Sequence, residues 1–495
     1  MLQNALWLTC SGLFLRAVSM LFQVFLSNRM GAAGVGLMQL VLTVGGLATT
    51  LALSGVKIAA MYLTARESGK GNPAGVCSAV SCCLRYALIV SSFAMLLLLV
   101  LAPAIARSFV QDSDALLSLR AYAVLLPGAS LAAVMSGYCT AMGKVRRLVC
   151  VELLERFLSI GLTVLLLSWA DGNVAGSLFA IVAGSGTMPL LSFALLYSFY
   201  LRERRCLGPV ARKPMTRALL DISIPLALGE YLRSGLNTVE QFLIPYGFAR
   251  SSSRYLGLSA YGTILGMVFP VMMYPAAILY AVSDLLVPEL SRCVVQGNRV
   301  RIRSLTERCL RLTELFAAAV AGVLFCAADE LGLLIYRSEQ AGYYLRLLSP
   351  MVLFLYLDAI VDGMQKGLGQ QVYTVRYNTF TNVLDVIGLY TLLPRFGVGG
   401  YVSTYAFTHL VNFFLSLRRM LTVTGGSPSV SALGRLLCLV LASGAIACCL
   451  PVTGLLSGLL LRGGMYLALL FFGCKLLRIP DPQDLHALRR SVKAA

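Results

Sequence analysis

Hydrophobic stretches long enough to cross a bilayer recur along the whole chain, parted by short polar turns. At about 20 residues per crossing they predict fourteen helices. These lie near 4–27, 37–64, 83–106, 118–141, 149–170, 175–200, 218–247, 257–283, 306–328, 344–365, 372–394, 400–417, 435–451 and 455–477. The spans take up most of the length and leave no room for a soluble catalytic domain. The opening MLQNALWLTCSGLFL lacks the basic leader of a cleavable signal, so the first helix is expected to stay in the mature protein. The pattern is that of an all-α polytopic membrane protein.

Composition agrees. Of 495 residues, 58% are hydrophobic and 13% charged, well under the roughly 25% charge of soluble domains. Disorder, collagen, coiled coil and a small disulfide-stapled domain are excluded. The net charge of +19, from 41 Lys and Arg against 22 Asp and Glu, does not point to nucleic acid, because the basic residues are diluted among apolar runs. They gather instead in alternate loops. Arg66 and Lys70, then Lys144, Arg146 and Arg147, then Arg202, Arg204, Arg205, Arg212 and Lys213 follow even-numbered helices. So do Arg292, Arg299, Arg301 and Arg303, the pair Arg418 and Arg419, and a tail with Arg478, Arg489, Arg490 and Lys493. The opposite loops hold few, such as Arg29, Arg107 and Arg337. The positive-inside rule then places both termini in the cytoplasm, with the basic loops against anionic membrane lipids. The 14 cysteines form no CxxC, and the two histidines, His409 and His486, lie far apart. No metal site, disulfide framework or catalytic set is expected.

Two parts of the chain resemble each other. SGLFLRAVSMLFQVFL (11–26) aligns with LGEYLRSGLNTVEQFL (228–243) at an offset of 217, pairing Gly12 with Gly229 and Arg16 with Arg233. GYCTAMGKVRRL (137–148) aligns with GMQKGLGQQVYT (363–374) at an offset of 226, pairing Gly137 with Gly363 and Gly143 with Gly369. The expected organisation is a six-helix lobe at 1–205, a cytoplasmic linker at 206–217 and a second six-helix lobe at 218–420. Two further transmembrane helices at 434–478, outside the duplication, and a cytoplasmic tail at 479–495 complete it. Parallel repeats of this kind bind substrate between halves and rock about it.

NRMGAAGVGLMQL (28–40), LALSGVKIAAMYL (51–63), YGTILGMVFPVMMYPAAILYAVSDLLVPELSR (261–292) and GLGQQVYTVRYNTFTNVLDVIGLYTLLPRFGVGGY (367–401) resemble the multidrug/oligosaccharidyl-lipid/polysaccharide exporter superfamily. The likeness runs to about residue 420 and is to its polysaccharide and sporulation branch. It implies a twelve-helix, two-lobed core and the flipping of a lipid-linked saccharide such as a peptidoglycan or spore-cortex precursor. It implies no cofactor beyond possible coupling to a proton or sodium gradient.

Charges inside the membrane are costly and mark cavities or partners. Arg16 lies midway along helix 1 with no acid at i±3 or i±4; Arg233 has Glu230 one turn earlier. Guanidinium suits a diphosphate through its fixed charge and fork of donors, so Arg16 and Arg233 are candidate substrate contacts. Lys57 is a third, or it snorkels to the cytoplasmic surface; the alternative for the arginines is a salt bridge between helices. Glu152 with Arg156 on helix 5, and Asp362 with Lys366 on helix 10, have i,i+4 spacing and are expected to be structural pairs, with Asp358 on the same face. Glu240 and Asp385 have no base within a turn and are candidates for ion coupling. Pro225, Pro245, Pro270 and Pro275, with Gly45, Gly46 and Gly55, are candidate hinges or packing points. The stretch 291–308 is expected to lie on the membrane surface.

Three rival readings stand beside the flippase. A cation-coupled drug antiporter on the same fold would present acidic groups to a cationic drug. A polytopic glycosyltransferase would need acid and base in a sizeable loop, and the only DxD, Asp112-Ser113-Asp114, sits in a short one. A non-transporting scaffold would be indifferent to neutralising Arg16.

Overall fold

The computed structural model describes residues 2–53, 55–110, 112, 114–170, 173–207, 215–251, 253–426, 430–451 and 454–477. The expected linker at 206–217 is described only at its ends, and the tail at 479–495 lies outside the described residues. Every regular element among them is helical. Contacts divide the chain into two compact units, Met1–Phe22 with Ala33–Pro245 and Gln23–Ala32 with Tyr246–Ala495.

The first unit holds most of α1 (Leu2–Leu53), then α2 (Val56–Gly69), α3 (Pro73–Ile105), α4 (Ala115–Ala141), α5 (Val145–Trp169), α6 (Val174–Gly186), α7 (Met188–Leu207) and most of α8 (Thr216–Ser251). Helices 1 and 2 of the sequence reading are not parted by a loop. They form one run that kinks at Gly31, whose φ of 70° and ψ of 172° only glycine takes readily. The second of them ends at Leu53 and helix resumes at Val56, directly after Gly55 with its φ of 70°. An ideal Cβ on Gly55 would lie 3.1 Å from the Leu226 Cβ. The carbonyls left at this break are taken by side chains: Tyr231 Oη donates to Leu51 O at 3.3 Å and Ser130 Oγ to Ala52 O at 3.1 Å. Gly45, in contrast, is a packing point, since the Tyr122 ring fills the place of its side chain.

The second unit holds the middle of α1 and the end of α8, followed by α9 (Arg254–Tyr261), a π-helical stretch (Gly262–Val268), α10 (Phe269–Met273), α11 (Ala276–Val295) and α12 (Arg299–Cys326). After these come α13 (Ala328–Tyr336), α14 (Glu339–Leu348), α15 (Val352–Gly367), α16 (Gln371–Phe396), α17 (Val398–Thr424), α18 (Val430–Cys448) and α19 (Leu455–Leu476). Pro225 and Pro245 lie inside an unbroken α8, whereas Pro270 and Pro275 begin new helical segments. The wide π stretch frees Gly266 O, which accepts from Gln23 Nε2 at 3.2 Å and Ser27 Oγ at 3.4 Å on α1.

The two units repeat each other's turns. Gly143 and Gly369 have φ of 70° and 71° and end helices at Ala141 and Gly367. Lys144 N donates to Cys139 O, and Gln370 N to Gln365 O, both at 2.8 Å. The same offset of 226 relates a second pair of turns. Gly71 and Gly297 have positive φ, and Asn72 and Asn298 cap the following helices by accepting from Gly75 N and Arg301 N, each at 3.0 Å. These caps account for boundaries that hydropathy misplaces. α3 begins at Pro73 rather than 83, and α12 at Arg299 rather than 306, because water satisfies polar side chains at the interface and the helix runs on until glycine and asparagine stop it. The stretch 291–308 is not one continuous segment; it is the end of α11 and the start of α12 around the turn at 296–298.

Among the described residues, eight helical segments are long and apolar enough to cross a membrane. The expected fourteen are not all reached by that measure, since α5, α8 and α16 carry charges mid-span. Helices 13 and 14, expected as an appendage, are keyed into the unit. Tyr466 of α19 is fully buried and donates to Ala318 O of α12 at 2.8 Å. Arg462 pairs with Glu330 of α13 at 2.8 Å, with the two side chains 20% and 10% exposed.

Two substitutions test this packing. A Cβ on Gly322 would overlap the Tyr466 ring, so Gly322→Ala is expected to cost about 1–3 kcal/mol in detergent unfolding. Gly322→Ala with Tyr466→Ala is expected to cost less than the two separately; strict additivity would refute the contact. Gly55→Ala is expected to cost about 1–2 kcal/mol for its left-handed backbone, while Gly46→Ala, which meets nothing within 4 Å, costs little; equal stability of both would show that the break is not enforced at Gly55.

Candidate functional site

Three candidate cations fall in the first unit. Arg16 on α1, Lys57 on α2 and Arg233 on α8 are all exposed, although each stands in an apolar helix. Lys57 follows the break directly, and α2 runs on to Gly69, twelve residues or about 18 Å further. Lys57 therefore stands well inside the helical run and not at its end. Gly137 lets α4 close on the backbone here: a Cβ there would lie 2.5 Å from Lys57 O. Its repeat partner Gly363 does the same against Ser283 of α11, which stands 226 residues beyond Lys57.

The structure rearranges the expected local pairs. Glu152 is half-buried and Arg156 exposed, and they form no ion pair within 4 Å. Glu152 feels chiefly its burial and then the charge of Lys57, with which it makes no ion pair within 4 Å, while Glu155 accepts from Ser192 Oγ of α7. Helical spacing brings side chains near one another but does not decide which neighbouring helix they face. Glu230 likewise makes no ion pair with Arg233, nor Lys366, which is exposed, with Asp362. Glu240 is half-buried on the part of α8 that belongs to the first unit, whereas Asp385 belongs to the second.

Asp385, on α16, is only 7% exposed and accepts a hydrogen bond from Thr408 Oγ1 of α17. Asp358 Oδ2 of α15 accepts from Asn412 Nδ2 at 3.0 Å. Nearer the basic turns, Gln365 Nε2 donates to Ser416 O at 2.7 Å and Gln365 Oε1 accepts from Thr374. Arg419 donates to Gln370 Oε1 at 2.7 and 3.0 Å and lies 3.7 Å from the Tyr373 ring centre. The sequence reading missed this polar seam, and a signal for it exists: Thr404, Thr408, Asn412 and Ser416 recur every fourth residue on α17, which makes one stripe down the helix. The first unit has a different network at its basic end, where Glu203 accepts from Lys144, from Arg147 at 2.6 Å and from Tyr138 at 3.0 Å.

The arrangement offers exposed permanent cations in one unit and a buried, hydrogen-bonded carboxylate in the other. Oxygen ligands and a carboxylate suit a proton or an alkali cation; the cations suit an anion.

Comparison with known proteins places the fold. The family described as polysaccharide biosynthesis protein matches residues 1–294. Stage V sporulation protein B of Bacillus subtilis (strain 168) is 24% identical over 411 residues, 81% of this chain and 79% of that one. The inward closed conformation of the lipid II flippase MurJ superposes with a TM-score of 0.70 at 12% identity, covering 94% of this chain and 98% of the other. An inward-facing multidrug resistance MATE family transporter of the MOP superfamily gives 0.61 at 17%, covering 82% and 95%. The chain belongs to the polysaccharide biosynthesis protein family, and within it has the multi-pass fold of a membrane transporter and not of an enzyme.

Proposed function

We propose that the protein moves a polyprenyl-diphosphate-linked saccharide, such as a peptidoglycan or spore-cortex precursor, from the inner to the outer leaflet by alternating access. The observation that carries this reading is the exposure of Arg16, Lys57 and Arg233 on apolar helices of one unit. A charged side chain turned to lipid is costly, so these surfaces are read as facing an aqueous path that suits an anionic head group. Arg16 and Arg233 would hold the diphosphate through paired donors, with Lys57 as a further point charge, while the lipid tail stays in the bilayer. The two six-helix lobes at 1–205 and 218–420 would open alternately, with both termini in the cytoplasm as the basic loops suggest. The name of the lipid II flippase MurJ supports a lipid-linked substrate, and that of the stage V sporulation relative supports a role in sporulation. Membrane lipids would surround the basic turns, and no nucleic acid is a partner in this reading.

Asp385 with Thr408, and separately Glu240, would couple transport to a proton or sodium gradient. The buried carboxylate and the MATE likeness also favour a second reading, a cation-coupled drug antiporter. Permanent cations exposed along the path argue for the anionic substrate.

In proteoliposomes carrying a labelled lipid-linked saccharide, Arg16→Ala is expected to slow outward exposure of the label at least tenfold, equivalent to about 1.4 kcal/mol, and Arg16→Lys to restore part of it. Unchanged flipping by Arg16→Ala would remove Arg16 from the substrate path, and no flipping by the unaltered chain together with efflux of a cationic drug would favour the antiporter instead. Asp385→Asn is expected to make the rate insensitive to an imposed proton or sodium gradient; a rate that still follows either gradient removes Asp385 from coupling.

A further inference from the structure

The second unit has a cavity of about 260 Å³ at the end away from its basic turns. It is formed by the end of α8, α9, α14 and the start of α17, through Phe248, Leu256, Ser259, Gln340, Tyr344 and Val398. Its chemistry is mixed. Phe248 and Tyr344 supply aromatic surface, Leu256 and Val398 aliphatic surface, and Ser259, Gln340 and Tyr344 hydrogen-bonding groups. No charged side chain lines it.

The three polar groups are the informative part. Among the described residues, neither Ser259 Oγ, nor the Gln340 amide, nor Tyr344 Oη hydrogen-bonds to another protein group. Thr263 Oγ1 donates at 2.8 Å only to the main-chain oxygen of Ser259. For Gln340, which is exposed, a missing partner is ordinary. Tyr344 is 9% exposed as a residue, yet its hydroxyl is not sealed within the protein; it is free to meet whatever occupies the cavity. Its ring is held edge-on to Tyr343, with centroids 5.5 Å apart.

These groups select a ligand by class. Two hydroxyls and an amide both give and accept hydrogen bonds, which matches a ligand whose own groups do both. Aromatic surface beside them suits the apolar C–H face of a ring. The absence of charge disfavours a diphosphate or a cationic drug, because a buried charge needs a partner. The volume is below the roughly 300–1,000 Å³ of pockets for drug-sized molecules. One sugar ring meets all four conditions.

We propose that this cavity is a subsite for one neutral hexopyranose ring of the transported saccharide, on the side where the head group leaves. This rests on the flippase reading. Tyr344 and Gln340 would hold ring hydroxyls while the Phe248 face takes the C–H edge. The site would recognise the sugar separately from the cations that recognise the diphosphate.

Saturation-transfer NMR on the full chain in phospholipid nanodiscs tests it, with glucose and N-acetylglucosamine as probes and glycerol as the control. The expected result is saturable binding of at least one hexopyranose and none of glycerol. Tyr344→Phe and Gln340→Ala should each weaken binding about fivefold, the loss of one hydrogen bond. Both substitutions are mild, one keeping the ring and the other changing an exposed side chain. No saturable sugar binding, or binding that both variants retain in full, overturns the subsite. A wild-type chain that flips lipid-linked saccharide yet binds no free sugar overturns the subsite alone. One that binds sugar in this variant-sensitive way but flips nothing supports the subsite and sinks the flippase reading.

Discussion

A main-chain carbonyl in hydrocarbon has no water to turn to, and this constraint shapes the whole molecule. It makes every described element helical and restricts where a helix can stop. Where the chain departs from the helix at depth, a side chain from another helix takes over the bond. Tyr231 and Ser130 do this for Leu51 and Ala52 beside the break at Gly55. Gln23 and Ser27 do it for Gly266 in the π stretch. Irregular backbone is therefore confined to places where other helices can cover it. Lys57 stands beside one such place, so the positioning of that charge depends on the same hydrogen bonds.

The two units solve their turns in the same way. A glycine with positive φ ends one helix, and either an asparagine cap or a repeat of the turn's hydrogen bonds starts the next, at matching positions 226 residues apart. Gly137 and Gly363 each let a helix close on its neighbour at equivalent points. What differs is the chemistry laid over that frame. Lys57 in the first unit corresponds to Ser283 in the second, and the buried Asp385 belongs to the second alone. Duplicated geometry with diverged side chains would let one architecture handle an anion and a coupling ion in separate places, as the proposed function requires.

Much of the frame was legible in the sequence because its causes are local. Apolar runs, basic turns and the glycine pairs 137/363 and 143/369 all act within a few residues of themselves. The Gly-Asn turns at 71–72 and 297–298 were equally readable and would have corrected the helix starts. What faces a residue from another helix was not readable. Gly45, Gly46 and Gly55 look alike in the chain, yet one packs on Tyr122, one meets open space and one breaks the helix. Glu152 and Arg156 have ideal spacing for a pair, yet they form none, because the spacing does not fix which neighbour each side chain faces. The polar stripe on α17 was hidden because window averages of hydropathy blur four polar positions into their apolar surroundings. The short helix α13 is hidden for a similar reason, being too brief for a span, whereas α14 opens the run that contains the helix expected at 344–365.

The ion pair between Glu330 and Arg462 joins residues 132 positions apart. The same helix brings Tyr466 against Gly322, so α19 supplies both the charge that faces Glu330 and the ring that fills the notch at Gly322. Removing α19 would therefore open two places at once, one polar and one apolar, and α12 and α13 depend for their packing on a segment far later in the chain.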